Sequence, residues 1–101
     1  MPLLDVECHP DYEAEARQLE SPIGAGITDF VLRHIRDYLW KFADTCPQVT
    51  GTNLHIYKPD LSPLIQGEVA AFFTFELVGE RRIVLLRGIT YSADTEMDEE
   101  E

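Results

Sequence analysis

With 101 residues, 45% of them hydrophobic and ten aromatic, the chain can build one modest core and is too short for two. No apolar run approaches the roughly 18 residues a membrane span requires, and "MPLLDVECHPDYE" turns acidic before a signal-peptide apolar region forms, so the expected compartment is the cytoplasm. A net charge of −11 argues against a polyanion partner, but its distribution matters more than its sum: residues 1–20 contribute −5, residues 92–101 contribute −6, and 21–91 are neutral.

In chain order, "LLDVEC" reads as a short strand. "HPDYEAEARQLE" follows as an amphipathic helix: Pro10 suits its first turn, acids at 11, 13 and 15 face its positive end, and Tyr12, Ala16 and Leu19 keep helical spacing. Ser21 and Pro22 form a cap and first-turn pair for a second helix, with firm structure expected from Thr28 because Gly24 and Gly26 weaken the preceding turns. Its apolar face is Ile27, Phe30, Val31, His34, Ile35, Tyr38, Leu39 and Phe42, and Pro47 ends it. His34 is expected as a hydrogen-bonded structural histidine at the stripe's edge, and Trp40, off the stripe, as a contact for a partner or for the first helix.

"NLHIYK" alternates Leu54 and Ile56 against His55 and Tyr57, a strand exposed on one face, and "PDLSP" is a loop. "GEVAAFFTFELVGERRIVLLRGITY" then reads as a hairpin with Gly79-Glu80 as a type II′ loop. Counting outward pairs Val78 with Arg81, Phe73 with Leu86 and Phe72 with Arg87. One face collects Val69, Ala71, Phe73, Phe75, Leu77, Val84 and Leu86 for the core; the other is mixed and carries Glu68, Phe72, Thr74, Glu76, Arg81, Arg87, Ile89 and Tyr91. Arg87 stands on that second face, either stacked on Phe72 and paired with Glu68 or Glu76, or aimed at a phosphate or an acidic partner. Cys8 and Cys46, without CxxC spacing, read as reduced thiols rather than a disulfide or a metal site. The fold expected is α+β, two N-terminal helices on a small antiparallel sheet in the order β-α-α-β-β-β, with residues 1–91 as one domain and 92–101 as an acidic disordered tail.

The ending "KPDLSP", "GEVAAFFTFE" and "GERRIVLLRGITYSAD" resembles the RelE/ParE superfamily of toxin-antitoxin toxins, HigB-like members included. Lys58-Pro59-Asp60-Leu61, Gly67 with Phe73 and Phe75, and Ile83 through Arg87 take the places of that family's turn and last two strands. The RelE branch implies a metal-independent, cofactor-free endoribonuclease acting on ribosome-bound mRNA. Arg87 would then stabilise the phosphate, Tyr91 would be acid or base, and Arg81, Lys58 and His55 would position RNA or a partner, with Phe72 and Trp40 as further contacts. The ParE branch implies inhibition of DNA gyrase. Partners implied are a cognate antitoxin and the ribosome and mRNA or gyrase; apart from the resemblance, a second copy pairing through the helices is a further expectation. From a different class comes a non-enzymatic, acidic protein-interaction module on the same scaffold, since the mixed face balances two arginines with two glutamates.

Overall fold

The computed structural model describes residues 5–61 and 64–93. Strand β1 (Asp5–Cys8) leads into helix α1 (Pro10–Gln18), a single turn α2 (Glu20–Ile23) and the long helix α3 (Ala25–Phe42), closed by a 3-10 turn over Ala43–Thr45. Strands β2 (His55–Tyr57), β3 (Glu68–Val78) and β4 (Arg81–Ser92) follow. The fold is α+β as expected, but the sheet is mixed rather than antiparallel: its order is β1-β4-β3-β2, and β1 lies parallel to β4. The helices act as the crossover that a parallel pair requires.

Helix α1 starts as its sequence dictates. His9 caps it by accepting the Asp11 N–H on Nδ1 at 3.0 Å, Pro10 needs no donor partner in the first turn, and Tyr12, Ala16 and Leu19 are buried. The second helix departs from expectation. Ser21 and Pro22 fall inside α2, and the break comes at Gly24, whose φ of 89° is cheap only for glycine. Helix α3 therefore begins at Ala25 rather than Thr28.

On α3 the buried row is Thr28, Val31, Ile35 and Leu39. Phe30, Tyr38 and Phe42, expected on the apolar face, are 51%, 42% and 45% exposed. One side of a helix can meet one sheet, and aromatic residues a quarter-turn away stay outside.

The core joins Tyr12, Ala16, Leu19, Val31, Ile35 and Leu39 to Val69, Ala71, Phe73, Val84, Leu86 and Ile89 of the sheet. Each of the buried Val, Leu, Ile and Phe side chains contributes about 1.5–3 kcal/mol. The hairpin turn is Gly79-Glu80 with Gly79 at φ 65°, and the pairing from Val78 with Arg81 through Phe73 with Leu86 follows the expected register.

Candidate functional site

The register changes once, beyond Phe73. Phe72 pairs with Gly88, so Arg87 is an extra residue in β4, a β-bulge, and does not face Phe72 as expected. Its side chain still reaches the face away from the helices: Nε donates to Thr74 Oγ1 at 3.2 Å and a terminal nitrogen donates to Glu76 Oε2 at 3.2 Å. Thr74 Oγ1 also donates to Glu76 Oε2 at 2.8 Å, closing a three-residue cluster. The Thr74 hydroxyl, then Arg87, hold the Glu76 carboxyl below its ordinary range.

Past the bulge the alternation is inverted. Ile89 now pairs with Ala71 and joins the core, and Tyr91 pairs with Val69 and packs against that core from the helix side. This corrects the expected placement of Ile89 and Tyr91 beside Arg87. The Tyr91 hydroxyl donates to the Gln66 carbonyl at 2.6 Å, locking the approach to β3. Gly67, at φ 98°, permits the closeness: a Cβ there would run into the Ser92 carbonyl oxygen and lie 3.1 Å from the Tyr91 hydroxyl. On the outer edge of the bulge, Glu15 of α1 accepts the Ile89 N–H at 2.9 Å. That carboxylate replaces the strand partner β4 loses where β1 turns into α1.

The other expected site residues scatter. His55 pairs with Phe73 and stacks on it, ring centroids 5.5 Å apart, with Phe75 edge-on at 5.1 Å, so it belongs to the helix side and not beside Arg87. Strand β2 is thus reversed from expectation, Ile56 turning to the helix-free face opposite Phe72. Lys58 lies 3.6 Å from Glu68, and Arg81 pairs with Asp5 across to β1. Trp40 is exposed on α3, with the Lys41 ammonium 5.8 Å from its ring. Arg82, at the turn end of the core face, covers Phe75 at 4.4 Å and bonds Asp44 at 2.9 Å.

What shares the helix-free face is therefore Arg87, Thr74 and Glu76 with Phe72, Ile56, Ile83 and Leu85, rimmed by the pairs Lys58–Glu68 and Arg81–Asp5. Sequence reading missed Glu15 as a partner of the bulge; a glycine directly after an arginine inside an apolar strand was the available signal. Both cysteines are free and half-buried, and burial raises each thiol above its ordinary value, which disfavours the nucleophilic thiolate. Among the described residues no cluster of His, Cys, Asp or Glu is arranged to hold a metal ion, and no helix is long and apolar enough to cross a membrane. Of the expected acidic tail, 92–101, Ser92 instead ends β4, and residues 94–101 lie outside the described residues. Comparison with known proteins finds no matching protein family, no matching characterised protein and no matching solved structure.

Proposed function

We propose that the chain is a non-catalytic protein-binding module that takes a basic partner on the helix-free face of its sheet. The observation that carries this reading is the commitment of Arg87 to Glu76 and Thr74. With Lys58 beside Glu68 and Arg81 on Asp5, each of the three cations on this face already has a carboxylate. A phosphate would have to displace those partners. An apolar centre of Ile56, Phe72 and Leu85 inside a polar, charge-neutral rim instead has the composition of a protein interface. The acidic ends of the chain, −5 over residues 1–20 and −6 over 92–101, favour a partner of opposite sign.

The RelE/ParE resemblance supports a second reading, favoured by the element order β-α-α-β-β-β and by the placement of Arg87 on the helix-free face. In its gyrase-binding form it needs only a docking surface. Its mRNA-cutting form needs Arg87 and Tyr91 at one phosphate, and those side chains lie on opposite sides of the sheet.

Titration with a basic peptide carrying apolar side chains, with polylysine and with an RNA oligonucleotide, followed by backbone amide NMR shifts, tests the proposal. The mixed peptide is expected to move Phe72, Thr74 and Leu85 while RNA leaves them unmoved. RNA that shifts Arg87 and is cleaved would sink the proposal. Growth arrest on expression, relieved by the neighbouring gene, would select the toxin reading.

A further inference from the structure

A different surface, the outward side of α3, carries a pattern that matches itself. Asp29, Arg33, Asp37 and Lys41 recur every fourth residue, all exposed, as one ridge of alternating sign. Beside it runs a second ridge, Phe30, His34, Tyr38 and Phe42. Phe30 and His34 stack at 6.2 Å and His34 and Tyr38 lie at 4.7 Å, while Phe42 stacks on Tyr57 of β2 at 6.1 Å. Lys41 closes the ridge with its ammonium 5.3 Å from the Tyr38 ring. Three large aromatics exposed by 42–51% along one helix form an uncovered apolar strip rather than a scatter of single residues.

We propose that a second copy of this chain covers that strip, its α3 running antiparallel to the first across a two-fold axis near the level of Ile35. Reversing the charged ridge about that level sets Asp29 against Lys41 and Arg33 against Asp37 of the second copy, so each of the four contacts joins opposite signs. A parallel pairing in the same register would set like against like at each of them. The aromatic ridge reverses with it, Phe30 meeting Phe42 and His34 meeting Tyr38. Rows four residues apart interdigitate with the matching rows of a second helix when the two cross at about −50°, the commonest packing class. A two-fold contact uses the same patch on both copies, and self-complementarity is what it requires.

Alternating charge four residues apart also supports a single helix, as the Asp29–Arg33 ion pair does here. That role needs no aromatic ridge beside it and predicts no association. The contact is independent of the helix-free sheet face.

Sedimentation equilibrium on the full chain decides the question, using two variants that make the ridge uniform in sign. Asp29→Lys with Asp37→Lys gives an all-positive ridge, and Arg33→Glu with Lys41→Glu an all-negative one. The wild type is expected to be a dimer, each variant alone a monomer with unchanged circular dichroism, and their equimolar mixture a one-to-one heterodimer. A monomeric wild type, a variant that stays dimeric alone, or a mixture that stays monomeric would overturn the proposal. Should a variant fail to fold, NOEs filtered between isotope-labelled and unlabelled copies of the unmodified chain read the same geometry: Phe30 to Phe42, twelve residues apart on one helix, is expected, and contacts elsewhere or none refute it.

Discussion

Arg87 and Tyr91 lie on opposite sides of the sheet, although strict alternation over the intervening residues would put them on one. The cause is a single extra residue. Phe72 takes Gly88 as its partner, Arg87 is left over, and each position after it changes sides. Arg87 ends in a polar cluster with Thr74 and Glu76, and Tyr91 ends as a tie to Gln66.

The two side chains should therefore behave independently. Tyr91→Phe loses one hydrogen bond and is expected to cost about 1 kcal/mol of stability without affecting ligand binding at the helix-free face. Arg87→Ala is expected to change that binding. In a double-mutant cycle read by urea unfolding the two should add to within about 0.5 kcal/mol, and a larger coupling would show that they share a site after all.

Gly67→Ala tests how tightly β3 enters the sheet. Its φ of 98° is unfavourable for alanine, and the new methyl would meet the backbone oxygen of Ser92, which cannot step aside. A loss of about 2–4 kcal/mol is expected in chemical denaturation. A neutral result would mean that the Gln66–Tyr91 tie is not held in solution.

Glu15→Ala removes the acceptor for the Ile89 N–H. Leaving that donor unpaired beside the core should cost about 1–3 kcal/mol. The sharper readout is local: amide exchange at Ile89 should accelerate well beyond that at its β3 partner Ala71 and at Val84, farther along β4. Uniform acceleration would indicate general destabilisation instead.

Glu76 gives the expected pH dependence. The Thr74 hydroxyl and the Arg87 guanidinium hold its carboxyl lower in the folded chain than in the unfolded one. A depressed carboxyl contributes stability that is full above the ordinary glutamate range and is lost as pH falls through the folded value. The stability gap between the wild type and Glu76→Gln should thus be widest near neutrality and close on acidification. A gap that widens toward acid would mean the cluster does not form.

The α+β class, the element order, the hairpin turn and its register from Val78 to Phe73 were legible in the amino-acid sequence because each follows from local rules. Periodicity of 3.6 or 2 sorts side chains, Gly79 supplies a turn conformation, and Pro10 marks a helix start. Tertiary structure decided what depends on partners remote in the chain. Strand β1 docks parallel to β4 because the helices carry the chain across the sheet. Helix α3 buries the row that meets Phe73 and Leu86, leaving Phe30, Tyr38 and Phe42 outside. The bulge at Arg87 forms where β1 has ended and Glu15 of α1 takes over the edge of β4. Periodicity counts residues along one strand and carries no record of what lies beside it, so a one-residue bulge stabilised from a neighbouring helix is invisible to it. That bulge is what separates Arg87 from Tyr91.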